Sequence, residues 1–126
     1  MSAHNAKYLN IIDQFPTKKI LVIGDFILDV YVKGMSTRLS PEAPVPVVDV
    51  AEVKKVPGGA ANTACNLKAL SADVSLCSIV GMDDAAEESM ELLKSFGIDV
   101  SCVVKSSERK TLVKTRIVAG DRILVR

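Results

Sequence analysis

The stretch "VPGGAANTACNLKAL", residues 56–70, decides how this chain is read. Gly58 and Gly59 stand directly before a run of small residues that predicts a helix over 60–70, and Asn62 stands where that helix should begin. Glycine lets another group come close to the backbone, and the first N–H groups of a helix point at whatever lies there. A tight turn into a helix needs the same glycines, so the pair alone does not choose between the two uses. Asn62 is open in the same way. It is a good N-cap residue, and its amide both donates and accepts, as binding a polyol requires. No GxxxxGK[ST] and no GxGxxG occurs, so the stretch is neither a P-loop nor a dinucleotide fingerprint.

Working outward, "KKILVIGD" (18–25) is a short continuous apolar run rich in Ile and Val, the pattern of a strand buried on both faces. "VPVVDVAEV" (45–53) predicts a second strand whose prolines put its start at an edge or outside the main sheet. "VSLCSIVG" (74–81) predicts another buried strand. Asp84 and Glu87 follow at capping-box spacing, and the helix "AEESMELLKSF" ends at Gly97, a suitable left-handed terminator. "VSCVV" (100–104) again predicts a strand. Upstream, Tyr8, Ile11, Ile12 and Phe15 recur at helical spacing, predicting an amphipathic helix over 5–15 that Pro16 helps to stop. Strands alternating with helices imply a parallel α/β sheet. "KTLVKTRIVAGDRILVR" (110–126) alternates with period two around Ala119-Gly120-Asp121 and predicts a β-hairpin. With residues 45–53 it would form a small separate antiparallel layer.

Composition bounds the rest. The chain has 126 residues, 48% of them hydrophobic, which is enough for one domain over 1–126 and too little for two. A net charge of +1 gives no basic bias toward nucleic acid or an anionic membrane. The most apolar run, "ILVIGDFILDVYV" (20–32), is too short to span a membrane and is broken by Asp25 and Asp29. The three cysteines, Cys65, Cys77 and Cys102, form no CxxC pair; they read as small buried hydrophobes, and free thiols fit a reducing cytoplasm. His4, the single histidine, falls in what reads as a frayed N-terminus and is a poor candidate for a ligand or a base.

Asp25 and Asp29 follow a predicted buried strand, at the end where open α/β sheets bind ligands. A carboxylate there accepts hydrogen bonds from sugar hydroxyls, or caps the next turn; position alone leaves both open. Lys114 and Arg116, two apart in a strand, share one face and would hold a phosphate if that face covers a cleft; otherwise they are ordinary surface charges, the reading that sequence alone slightly favours. Asp83 and Asp84 suggest a metal pair, but helix capping explains them better.

Together these pieces resemble the N-terminal half of a ribokinase-like (PfkB-type) carbohydrate kinase. Gly58-Gly59-Ala60-Ala61-Asn62-Thr63-Ala64, then Ser71, then Gly81 match that family's first motif in residue type and spacing. Within it, "RLSPEAPVPVV" (38–48), "GDFILDVY" (24–31), "GMDD" (81–84) and "KTRIVAGDRILVR" (114–126) are similar to the D-glycero-β-D-manno-heptose-7-phosphate kinases of lipopolysaccharide core synthesis. The resemblance covers roughly residues 19–126. One departure is Asp29-Val30-Tyr31, where that branch usually has Asp-Arg-Tyr.

The resemblance implies a partial ribokinase-like parallel sheet with flanking helices and a small β lid near 45–53 and 110–126. It implies that Asp29 and Asn62 bind sugar hydroxyls, that Gly58 and Gly59 expose backbone to the sugar, and that Lys114 and Arg116, with Arg38 a weaker candidate, approach the substrate phosphate. ATP and Mg2+ would serve the full-length enzyme. The family's second motif, with the catalytic aspartate and a Gly-Ala-Gly anion hole, would lie downstream of residue 126, so that these residues alone would be inactive. A homodimer through the lid strands is expected, in the cytoplasm. The alternatives are another kinase of the superfamily, acting on ribose, fructose or a nucleoside, and a non-catalytic sugar-binding or dimerisation module.

Overall fold

The computed structural model describes residues 3–126, with side chains from residue 5 onward. Helix α1 (Ala3–Ile12) is followed by a 3-10 turn, Phe15–Thr17, that accommodates Pro16 near its start. The chain then runs β1 (Lys19–Ile23), β2 (Phe26–Leu39), β3 (Pro46–Gly59), α2 (Ala60–Ala69), β4 (Asp73–Gly81), α3 (Asp84–Ser95), β5 (Val103–Ser106), β6 (Val113–Ala119) and β7 (Arg122–Val125). Two sheets result: a parallel one in the order β1-β4-β5, and a lid in the order β3-β2-β6-β7.

The parallel sheet packs one face against α2 and α3. Val74, Leu76 and Val80 of β4 are fully buried there, with Ala61 and Ala64 of α2 and Ala86, Ser89 and Leu93 of α3. Alanine at 61 and 64 removes the side-chain bulk that would hold α2 off the sheet. Residues 86, 89 and 93 fall on one helical stripe, as the 3.6 period requires. The predicted burial of β1 on both faces is not observed. It alternates instead, with Ile20 and Val22 half-buried while Leu21 and Ile23 are 52% and 74% exposed. The cause is that one face of this sheet is left uncovered: the central β4, also expected to be buried, alternates in the same way, with Val74, Leu76 and Val80 buried and Ile79 47% exposed.

The lid contains a strand that the apolar run at 20–32 concealed. Gly24 and Asp25 break that run, and β2 begins at Phe26. Phe26 is 1% exposed and its N–H donates to Ser78 Oγ of β4 at 2.9 Å, which joins the base of the lid to the core. From there Leu28 and Val30 point into the core and Asp29, Tyr31 and Lys33 point away from it. β3 pairs antiparallel with β2 along its whole length, from Phe26 opposite Gly59 to Leu39 opposite Pro46. The strand predicted over 45–53 therefore extends to Gly59. Pro46 and Pro57 are tolerated because β3 is an edge strand.

The hairpin is present, with Gly120 at φ 57° in its turn. Its first strand lies parallel to β2, Leu28 beside Val113 through Gly34 beside Ala119, so the lid is mixed rather than antiparallel.

Smaller differences have local causes. α1 stops at Ile12 rather than 15, and Tyr8, Ile11 and Ile12 stay exposed. β5 begins three residues later than predicted, because Val100 to Cys102 form the turn into it. α3 is capped by Asp83, whose Oδ1 accepts from the Ala86 N–H at 3.0 Å, one residue before the predicted Asp84. Cys102 is exposed and Cys65 and Cys77 are half-buried. His4 lies within α1, and its side chain is outside the described residues.

Candidate functional site

The candidate site lies on the face of the lid opposite the core. Three strands lie side by side there in a fixed register. Asp29 of β2 has Val56 of β3 on one side and Lys114 of β6 on the other; two residues further, Tyr31 lies between Lys54 and Arg116. Parallel and antiparallel neighbours in register share a face, so these side chains line one surface.

At its centre Arg116 Nη1 donates to Asp29 Oδ1 at 2.8 Å. Both side chains are mostly buried, 14% and 17% exposed. The guanidinium also lies over the Tyr31 ring, 4.8 Å from its centroid. A charge-assisted bond shielded from water and a cation–π contact hold Arg116 in one orientation. Asp29 is therefore not a turn cap; it is an acceptor partly shared with a cation, on a strand rather than after one.

The glycine pair has two local causes. A Cβ on Gly58 would fall on the Asp29 carboxylate, and one on Gly59 would lie 2.5 Å from the Asp25 carbonyl oxygen. Gly59 adopts φ 57° and is itself the N-cap of α2. Asn62 is thus not the cap but a first-turn residue with an exposed amide. No side chain caps α2; the Asp25 carbonyl accepts from the Ala60 N–H at 3.0 Å. The remaining N–H groups of the first turn have no intrahelical acceptor.

Lys114 is half-buried beside Asp29, and among the described residues it forms no ion pair. Arg38 is not brought to this group. It is exposed, nine positions along β2 from Asp29, or about 30 Å at the usual strand rise. Asp25 lies 3.9 Å from Arg109 on the loop between β5 and β6.

Asp83 belongs to a separate structural knot. Its Oδ1 accepts from the Thr111 hydroxyl at 2.7 Å and its Oδ2 from the Thr111 N–H at 3.0 Å, while Thr111 Oγ1 accepts from the Gly81 N–H at 2.9 Å. The hydroxyl and backbone donors of Thr111 hold the Asp83 carboxyl below the usual carboxylate range. No group of three His, Cys, Asp or Glu able to hold a metal ion occurs among the described residues. Nor is any helix of theirs long and apolar enough to cross a membrane.

Sequence reading missed Tyr31, Lys33, Lys54 and Thr111. Alternation of Leu28, Val30 and Val32 with Asp29, Tyr31 and Lys33 carried the signal for the first two. Only the strand register discloses Lys54 beside Tyr31.

Residues 17–125 match the profile described as pfkB family carbohydrate kinase. Bifunctional protein HldE of Helicobacter pylori (strain Shi470) is 50% identical over 109 residues, 86% of this chain and 24% of that protein. The chain thus spans about a quarter of the length of the curated relatives it matches. A carbohydrate kinase from Agrobacterium tumefaciens superposes with a TM-score of 0.69 at 24% identity, over 86% of this chain and 34% of that one, which shows the shared fold. An uncharacterized sugar kinase from Pyrococcus horikoshii in complex with ATP superposes with a TM-score of 0.58 at 27% identity, over 82% of this chain and 32% of that one.

Proposed function

Because the chain belongs to the pfkB family of carbohydrate kinases, we propose that it supplies the sugar-binding half of a kinase that transfers the γ-phosphate of ATP to a heptose 7-phosphate. The observation that carries this reading is the Asp29–Arg116 pair on the open face of the lid, with Lys114 alongside. A carboxylate accepts from sugar hydroxyls, and two cations on the same face suit a phosphorylated sugar. Asn62 and the uncapped first turn of α2 add donors within four residues of the Gly58 that accommodates Asp29. The heptose assignment rests on "RLSPEAPVPVV" and the motifs in register with it.

ATP and its Mg2+ do not fit the residues described. The sequence contains no P-loop, and the described residues contain no cluster of three metal ligands. We place the nucleotide, and the base that deprotonates the attacking hydroxyl, on a part of the kinase that these 126 residues do not supply. The lid strands would pair with those of a second copy, in the cytoplasm.

Calorimetry with heptose 7-phosphate tests the sugar site. Asp29→Ala should lower affinity roughly ten- to a hundredfold, the effect of leaving polar groups unpaired. Unchanged affinity would remove Asp29 from the site. The 126 residues alone should release no ADP from Mg-ATP and heptose 7-phosphate, since loss of a single preorganised donor already costs about a hundred- to a thousandfold. Sugar-dependent ADP release that falls with Asp29→Ala would overturn the division of labour proposed.

A further inference from the structure

β6 carries Lys114 and Arg116, and their place on the lid depends on its register against β2. The two strands are parallel, so no tight turn joins them and sets that register. β6 is reached from β5 through residues 107–112, a loop that crosses from one sheet to the other. A slip of one residue would turn every side chain of β6 to the opposite face. Arg116 would leave Asp29, and Lys114 would leave the surface they share. The hairpin does not prevent this, because β7 pairs only with β6 and moves with it.

The hold on the register lies immediately before the strand. Thr111 is 6% exposed, and its N–H, hydroxyl proton and hydroxyl oxygen are all engaged. The N–H and the hydroxyl donate to the two oxygens of Asp83, and the hydroxyl oxygen accepts from the Gly81 N–H at the end of β4. Asp83 is itself fixed by the Ala86 N–H in the first turn of α3. A Cβ on Gly81 would lie 2.6 Å from Asp83 Oδ2 and 2.8 Å from Thr111 N, so these residues close on one another with no space for a further side chain. The next residue, Leu112, accepts from the Leu28 N–H at 2.8 Å, and the ladder then runs from Leu28 beside Val113 to Gly34 beside Ala119 without a break. Fixing Thr111 fixes the first rung, and an unbroken ladder carries that choice to Arg116. The other tie on the loop, Arg109 to Asp25 at 3.9 Å, runs through a long side chain and leaves the backbone free to shift.

We propose that Thr111 is a positioning residue of the lid face: held by Asp83 and Gly81, it sets the register of β6 on β2 and so delivers Arg116 to Asp29 and Lys114 to its side. It acts through those two cations and not by contact with substrate. The consequence for binding rests on the sugar-kinase reading above; the register does not.

The test compares the unsubstituted 126-residue chain with Thr111→Val, which keeps the shape and removes the hydroxyl, and Thr111→Ser, which keeps the hydroxyl. Arg116 lies over the Tyr31 ring, so its side-chain protons are shifted by the ring and give Overhauser contacts to it. A loss of stability that leaves the register alone does not alter this signature. Thr111→Val should lose it while the methyl resonances of Leu76 and Leu93 in the core stay in place, and Thr111→Ser should restore it. By calorimetry Thr111→Val should bind heptose 7-phosphate about tenfold more weakly, and Thr111→Ser as the unsubstituted chain does. Asp83→Asn sets an amide donor against the donors of Thr111; it reads the same signature from the other partner and decides the matter where Thr111→Val does not fold. A lower urea midpoint in these variants with the Arg116–Tyr31 signature unchanged would overturn the proposal and leave Thr111 a structural residue. Loss of the signature in Thr111→Val and its return in Thr111→Ser, with no heptose 7-phosphate bound by any of the proteins, would support the positioning role and overturn the sugar reading instead.

Discussion

Arg116 donates to Asp29 at 2.8 Å across neighbouring parallel strands, joining residues 87 apart in the chain. Removing either partner leaves the other mostly buried and unpaired. Asp29→Ala and Arg116→Ala should each cost about 1–3 kcal/mol of stability. The double variant should cost clearly less than the sum, because the second truncation has nothing left to orphan. Urea denaturation of the four proteins measures this, and strict additivity would show that the pair contributes no coupling.

Ser71 and Gly97 occupy the same position in two helices. Each directly follows the C-cap of its helix, Leu70 and Phe96, with φ of 69° and 72°. Each donates its N–H back to the carbonyl three residues earlier, Lys68 at 2.8 Å and Lys94 at 2.8 Å. The left-handed conformation costs nothing at glycine and is strained at serine. Ser71→Gly should stabilise the chain by about 0.5–1 kcal/mol, seen as a higher urea midpoint. Gly97→Ala should lower that midpoint, since its Cβ would also lie 3.1 Å from Lys68 Cε.

Asp83 makes stability depend on pH in one direction. Thr111 and the Ala86 N–H lower its carboxyl in the folded chain below the ordinary value of 3.8. A depressed folded value gives stability that is complete above about pH 4 and is lost as pH falls through the folded value. Asp99 is lowered as well, by the Ser101 N–H and hydroxyl and the Ser75 hydroxyl, and acts in the same window. Urea midpoints measured at pH 7 and pH 3 should therefore fall less in Asp83→Asn than in the unsubstituted chain, with part of the acid sensitivity surviving through Asp99. An identical fall in both proteins would contradict this role.

β3 and β7 are the edges of the lid, and Val50, Val53, Ile123, Leu124 and Val125 on them are exposed. Unpaired strand edges with apolar side chains favour pairing with another copy. Sedimentation should show a homodimer at roughly tens of micromolar, and Ile123→Lys should shift it toward monomer. A monomer at that concentration would rule out the lid as an interface.

The parts legible in sequence were those with a local signature. Alternation disclosed the hairpin, and glycines marked Gly59 and Gly97. The family resemblance offered Asp29, Gly58 and Asn62 as candidates for the sugar site. What was hidden depends on contacts between distant segments. β2 escaped because Gly24 and Asp25 interrupt a run that stays apolar on both sides, which conceals a change from one sheet to another. The partnership of Asp29 with Arg116 follows from the parallel pairing of β2 with β6, and nothing local in either strand announces it. Gly58 read as a place for a ligand to approach; its nearest neighbour is the Asp29 carboxylate.

The lid meets the core along a line at its root, where Leu28 and Val30 enter the core and Lys55 of β3 meets Glu88 of α3 at 2.7 Å. β2 leaves β1 through Gly24 and Asp25, β3 passes into α2 without a linker, and β6 starts just after the Asp83–Thr111 knot. From that line β2 and β3 extend fourteen residues each, with breaks in their register at Lys33/Gly34 and Met35/Arg38. Mechanically this is a cantilever, clamped at its root and weakened toward its tip. A load at the tip bends the outer segment at those breaks first. Asp29, three residues from the root, sits where such a beam deflects least. The tip is thus free to yield to whatever grips it, while the carboxylate keeps its aim.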